Sequence, residues 1–196
     1  MIDALEQIDR SIVLAVNSCH TPFLDDLFWL ISGKITWIPL YILLFFLAQR
    51  KLNLRPFLFF ILFTILSIVV ADLVSVHFFK NVFERYRPSH HALLTDILHF
   101  HRFENGDVYK GGMYGFVSSH AANFSALACF IGLSLKKFYP KLPFILIGIV
   151  VLICYSRIYL GVHYLTDILA GLMVGTGIGY VFYRFFNRNF LAKLSH

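Results

Sequence analysis

Apolar residues run along this chain in blocks longer than a soluble helix needs. Five stand out: Ile35–Gln49, Pro56–Phe79, Ser119–Leu135, Leu142–Ser156 and Tyr164–Phe186. A helix that crosses the hydrocarbon core takes about 20 mostly apolar residues. The blocks therefore predict five spans, the first and fourth extending into their flanks. Ahead of them, "IDALEQIDRSIVLAVNS" mixes charges with apolar residues at helical spacing. "TPFLDDLFWLIS" then opens with Thr21 before Pro22 and acids in the first turn, the pattern of a capped helix start. These two segments, within residues 1–33, are expected to lie along the membrane interface. Joining the second to a span would give six. The expected fold is all-α: a polytopic membrane helical bundle of about five to six spans with N-terminal interfacial helices, one domain over residues 1–196.

The polar positions add an orientation. Arg50, Lys51 and Arg55 crowd one short loop, Lys136, Lys137 and Lys141 another, and Arg184, Arg188 and Lys193 follow the last block. With five spans these clusters share one side, which the positive-inside rule makes cytoplasmic. The acidic N-terminal segment (Asp3, Glu6, Asp25, Asp26), an outer loop over 80–117 and "SRIYLGVH" then face outward. The first ten residues, "MIDALEQIDR", lack the basic start of a cleavable leader.

Composition narrows the class. Only 14% of residues are charged, against about 25% in soluble domains. The net charge of +6 is explained by cytoplasmic loops and anionic headgroups, and no basic stretch is interleaved with stacking aromatics, so a nucleic-acid partner is not expected. Cys19, Cys129 and Cys154 form no metal or redox spacing. Gly171, Gly175 and Gly179 repeat a small-residue pattern that predicts close helix packing and leaves a homodimer seam open.

Three polar clusters carry candidate chemistry. In "KNVFERYRP", Lys80 and Arg87 are seven apart, so a helix ended by Pro88 would point both the same way, toward an anion. Snorkelling basic residues would give the same pattern. In "GFVSSHAANFSALACF", Ser118 or Ser119 suits a helix N-cap, with backbone N–H groups free for an anion and His120 in the first turn; simple capping is the plainer alternative. In "SRIYLGVHYLTD", His163 and Asp167 are four apart, on one face of a helix, with Arg157 nearby. A buried Arg–Asp pair beside a structural histidine is the alternative there. All three clusters fall on the outer side, where a single tetrahedral phosphate would account for the set. No carboxylate cluster has metal-ligand spacing, so no metal and no cofactor are expected.

The three motifs, Lys80-x6-Arg87-Pro88, Ser118-Ser119-His120 and Ser156-Arg157-x5-His163-x3-Asp167, resemble the signatures of the type 2 phosphatidic-acid phosphatase family. Its superfamily includes bacterial acid phosphatases and vanadium haloperoxidases. The resemblance covers Lys80 to Asp167. It implies that His163 attacks phosphorus and forms a phosphohistidine, that Asp167 holds His163, and that His120 is the acid and then the base. It also implies that Lys80, Arg87 and Arg157 grip the phosphoryl oxygens, with Ser118 and nearby N–H groups completing the cradle. One departure stands out. Where the family usually has Pro-Ser-Gly-His, this chain has Val117-Ser118-Ser119-His120, which adds a side chain and a further hydroxyl at Ser119.

The loop between the first two motifs holds His90, His91, His99 and His101 and a flexible-looking "YKGGMYG". His99-x-His101 suggests a metal, but the other ligands are missing locally, which favours an exposed cover. Arg85, Arg102 or Lys110 would meet extra charge on a substrate, and Asp72 and His77 would pair inside the bundle. The expectation is a metal-independent lipid phosphate phosphatase at the outer face of a bacterial inner membrane. Its expected substrates are phosphatidylglycerol phosphate, phosphatidic acid, undecaprenyl pyrophosphate or lipid A phosphates. A phosphotransferase using the same site, a transporter or anion-binding protein without turnover, and a haloperoxidase are the rival readings.

Overall fold

The computed structural model describes residues 2–192, with side chains from residue 4 onward; Lys193 of the last basic cluster lies outside the described residues. Helix α1 (Ile2–Asn17) leads into α2 (Pro22–Ser32), whose N-cap Thr21 accepts a hydrogen bond from the Leu24 amide. A short 3₁₀ turn at Ile35–Trp37 precedes α3 (Ile38–Gln49). Helix α4 (Leu54–Leu73) continues through a π-helical stretch, Val74–Lys80, into one last turn, α5 (Asn81–Phe83). After a long loop come α6 (Ser119–Leu135), α7 (Leu142–Tyr159) and α8 (Leu165–Phe186). No β-sheet forms among the described residues; two isolated backbone bridges pair Tyr86 with Tyr114 and Arg102 with Val108.

Three helical stretches are long and apolar enough to cross a membrane: Leu54–Phe83, Leu142–Tyr159 and Leu165–Leu191. The pair Pro22–Ser32 and Ile35–Gln49, bent by 71°, makes a fourth if it is one span, and Ser119–Leu135 is a shorter apolar helix. Reading those last two as spans gives five, the lower end of the expected five to six. Hydrophobicity is arranged inside out. On α4 the buried stripe is Phe60, Thr64, Ser67 and Ala71, while Leu58, Leu62, Ile65, Val69 and Leu73 face outward. Small and polar residues meet other helices and large apolar ones are left for lipid, as expected where the solvent is hydrocarbon.

Helix α6 is the axis, packed against α4, α7 and α8. The glycine stripe explains its closest contact. A Cβ at Gly175 would lie 2.0 Å from the Ala122 carbonyl oxygen, and one at Gly179 2.3 Å from that of Ala126. The stripe is therefore used within the chain, against α6.

Chain direction sorts the two ends. Lys51, Lys136 and Lys137 line one cavity with Asn187, so the basic loops gather at one end. Lys80, the start of α6, the end of α7 and the start of α8 meet at the other. There α1 packs on α7 and α8, and α2 packs on α7.

Replacing Gly175 with leucine forces α6 and α8 apart; a loss of about 1–3 kcal/mol or more is expected for such overpacking. A thermal melt in detergent should show a clear fall in Tm, with a smaller fall for the same change at Gly177, where a Cβ meets nothing within 4 Å.

Candidate active site

The first motif does not sit on one helix. The helix ends at Phe83, and Glu84 turns the chain with φ of 45°. The segment beyond is extended, with Arg87 N donating to Met113 O (3.1 Å) and Gly115 N to Arg85 O (2.9 Å). Alternation along it sends Arg85 and Arg87 inward and leaves Tyr86 exposed. Lys80 and Arg87 thus reach the site by separate routes. The π-helical stretch delivers Lys80, whose Nζ donates to Ser119 Oγ at 2.6 Å. Ser75 Oγ lies 2.7 Å from the same oxygen. The serine at the motif's glycine position is therefore a ligand of the lysine.

Arg87 is buried. Its Nε donates to Tyr114 O (3.1 Å) and its Nη1 to Val162 O (3.1 Å) and to His163 Nε2 (2.9 Å). A guanidinium only donates, so Nε2 carries the lone pair and the imidazole proton sits on Nδ1, 3.4 Å from Asp167 Oδ2. His163 precedes α8 and does not share a helical face with Asp167. The two meet because Asp167 caps the helix, accepting from the Tyr164 amide at 3.0 Å. Burial, and then the charges of Arg87, Arg157, Lys80 and His120, hold the His163 pKa well below the ordinary imidazole value.

Ser118 is the N-cap of α6: its Oγ accepts from Ala121 N (3.4 Å) and its amide donates to Asp167 O (2.9 Å). His120, in the first turn, lines a cavity of about 390 Å³ with Ser119, Lys34, Asp72 and Asn123 at its polar end. Phe45, Ile65, Leu127 and Ile131 form its apolar wall. Arg157, near the end of α7, donates Nη1 to Ser32 Oγ and Nη2 to Tyr109 OH (2.9 Å). Its buried Nε has no hydrogen-bond partner.

Two supports were not legible as site residues. Arg85 is not a headgroup contact but a clamp: Nη1 reaches Asp167 Oδ1 (2.9 Å) and Thr166 Oγ1 (2.7 Å), and Nη2 reaches Asp9 Oδ2 (2.8 Å). Asp9 is itself buried and accepts from the Thr166 amide at 3.0 Å. The available signal was a stripe: Asp9, Val13 and Asn17 recur every four residues on the buried face of α1. With Arg85 holding both acids, Lys80, Arg87 and Arg157 have no carboxylate within 4.0 Å among the described residues.

Other expectations are revised. The "YKGGMYG" stretch packs on the site at two points, with a Cβ at Gly111 3.2 Å from Arg87 Nη1 and one at Gly115 3.0 Å from Asp167 Oδ2, while Gly112 and Met113 between them are exposed. Lys110 donates to Thr95 Oγ1 at 2.9 Å, within the loop. Asp72 pairs with Asn123 Nδ2 (3.0 Å), not with His77. His101 stacks on Trp29 with centroids 4.3 Å apart, away from His99.

The sequence profile of the PAP2 superfamily matches residues 57–191. A lipid A 4'-phosphatase of Porphyromonas gingivalis is 37% identical over 179 residues, 91% of this chain and 72% of that protein. One of Bacteroides thetaiotaomicron is 31% identical over 184 residues, 93% of this chain and 79% of that protein. Among solved structures, the fold resembles a Bacillus subtilis transmembrane PAP2 type phosphatidylglycerolphosphate phosphatase. The TM-score is 0.67 at 22% identity, over 95% of this chain and 88% of that one. Aquifex aeolicus LpxE is similar with TM-score 0.62 at 24% identity, over 90% and 95%.

The depressed His163 pKa has a sign. The folded state keeps the ring neutral while the unfolded chain protonates it below about pH 6.5. The folded state therefore keeps this contribution above about pH 6.5 and loses it as the pH falls. Melts from pH 7.5 to 5 should show a falling Tm, with a smaller fall in His163→Asn; an equal fall in both would contradict the assignment.

Proposed function

The chain belongs to the PAP2 superfamily, and from that premise we propose how its site removes phosphate from a lipid. It is an integral-membrane lipid phosphatase of that family, whose reaction needs no metal. The observation that carries the reading is the trio Lys80, Arg87 and Arg157, without a carboxylate within 4.0 Å among the described residues, whose charges act on buried His163. Such a cage is costly unless an anion fills it.

The substrate phosphate enters from the cavity beside Ser119 and His120, with its apolar portion along α3, α4 and α6. Its oxygens draw Lys80 from Ser119 and Arg87 from His163, and meet the spare Nε of Arg157. That movement uncovers His163 Nε2, which attacks phosphorus while His120 gives the leaving alkoxide its proton. The P–O bond breaks as the P–N bond forms. Asp167, held by Arg85, keeps the Nδ1 proton in place and steadies the charge that develops on the ring. Water deprotonated by His120 then releases inorganic phosphate and restores the imidazole. Positioning and charge neutralisation do most of this work. Ser118 contributes through the cap that orients the first amides of α6.

The substrate we favour is a lipid A-type phosphate monoester, because both curated relatives carry that activity in their names. We place the site at the outer face of a bacterial inner membrane, since the basic loops gather at the opposite end of the bundle. Residues 1–196 act as one unit, with the N-terminal segment 1–33 at the interface and the loop after the first motif covering the site.

Purified His163→Ala should insert and fold yet lose at least about 1,000-fold in phosphate release. The intact enzyme should turn over fully in excess chelator. Substantial turnover by the variant would remove the nucleophile assignment. A panel of lipid A, phosphatidylglycerol phosphate and undecaprenyl pyrophosphate tests the substrate, with lipid A expected to be cleaved fastest.

A further inference from the structure

Away from the phosphate site, two histidines and a carboxylate converge from three segments. His20 lies in the turn between α1 and α2, Asp25 in the first turn of α2, and His99 in the long loop. The His20 and His99 rings stack with centroids 3.9 Å apart and planes 7° from parallel. His99 Nε2 lies 2.9 Å from Asp25 Oδ2. One ligand atom from each of the three residues falls within 4.8 Å of the other two. We propose that His20, Asp25 and His99 bind a divalent transition-metal ion of the zinc class, fastening the loop to the N-terminal helices.

The donor set suits such an ion: two imidazoles and one carboxylate, with a fourth position for water. Metal–ligand bonds of about 2.0–2.1 Å put ligand atoms about 3.4 Å apart in a tetrahedron; His99 Nε2 and Asp25 Oδ2 are already within that spacing, and the exposed His20 ring turns out of its stack on His99 so that both imidazole lone pairs reach one ion. Their supports are already built. Tyr159 OH donates to Asp25 Oδ1 at 2.6 Å, fixing the carboxylate by its other oxygen. Buried Asn17 pins the His99 backbone from both sides, accepting from its amide (2.8 Å) and donating to its carbonyl (2.7 Å), and also donates to Tyr159 O (2.8 Å). His20 stands three residues beyond Asn17, its amide bonded to the Asn17 carbonyl at 3.2 Å.

The clamp joins elements that hold the phosphate ligands without touching the reaction. The loop that bears His99 continues to Tyr109, which bonds Arg157, and to Gly111, which packs on Arg87. Helix α2 starts beside the cluster and ends at Ser32, the other partner of Arg157. The ion is structural, and the phosphatase reaction proceeds without it.

The test uses the full chain in detergent, stripped with chelator and titrated with Zn²⁺ by calorimetry while Tm is followed. Wild type should take one tight equivalent and gain in Tm, and Co²⁺ in its place should give tetrahedral d–d absorption. His20→Gln, a change in an exposed turn, and His20→Gln/His99→Gln should both lose the tight equivalent and the Tm gain. Phosphate release by the stripped variants should match stripped wild type, which shows that they fold. Absence of a tight equivalent in wild type, or equal tight binding by wild type and the variants, overturns the proposal.

Discussion

Arg85 bridges two buried carboxylates from opposite ends of the sequence. One arm holds Asp9 of α1 and the other holds Asp167 of α8, while its guanidinium carbon sits 4.3 Å from the Tyr164 ring centroid. Two acids this deep need a cation, and a single arginine serves both. The consequence lies a few ångströms away. With Asp167 engaged by Arg85, no carboxylate among the described residues lies within 4.0 Å of Lys80, Arg87 or Arg157. Their donors rest on neutral acceptors instead: the Ser119 hydroxyl, the Val162 carbonyl, the Tyr109 hydroxyl and the His163 lone pair. Each is a contact that a phosphate oxygen outbids, because an anionic acceptor adds a Coulomb attraction to the cation that a neutral acceptor lacks.

The bilayer shapes the remainder. Lipid offers no hydrophobic drive to bring helices together, so close backbone approach must do it. Glycines on α8 let it lie against α6, with Gly171 facing the Ser118 carbonyl and Gly175 facing Ala122. That fit fixes the start of α6 against the start of α8, where Ser118 N bonds Asp167 O. The second and third motifs are therefore registered by helix packing, and the first is brought in by the extended segment that follows Phe83.

Much of this was legible in order along the chain. The apolar blocks gave α4, α6, α7 and α8 because their length and hydrophobicity are local properties. The motif residues were legible because family resemblance attaches to spacing. Geometry between them was less so. A seven-residue interval cannot reveal that Glu84 breaks the helix between Lys80 and Arg87. Nor can it show that His163 stands outside the helix that Asp167 caps. The roles of Asp9 and Ser32 were hidden for another reason: α1 and α2 read as surface helices, and only tertiary docking turns Asp9 and Ser32 toward the site. The neighbours of His99 were hidden for the same reason: His20 and Asp25 belong to the N-terminal segment and not to its own loop.

The central claim is that His163, kept neutral beside Lys80, Arg87 and Arg157, takes the phosphoryl group. Rapid mixing with a radiolabelled lipid phosphate, alkaline denaturation and peptide mapping tests it most directly. Label should appear on the peptide containing His163, stable in base and lost in mild acid, and should be absent in His163→Asn. Label on another residue, or steady turnover with none trapped on His163 at any mixing time, would contradict the account.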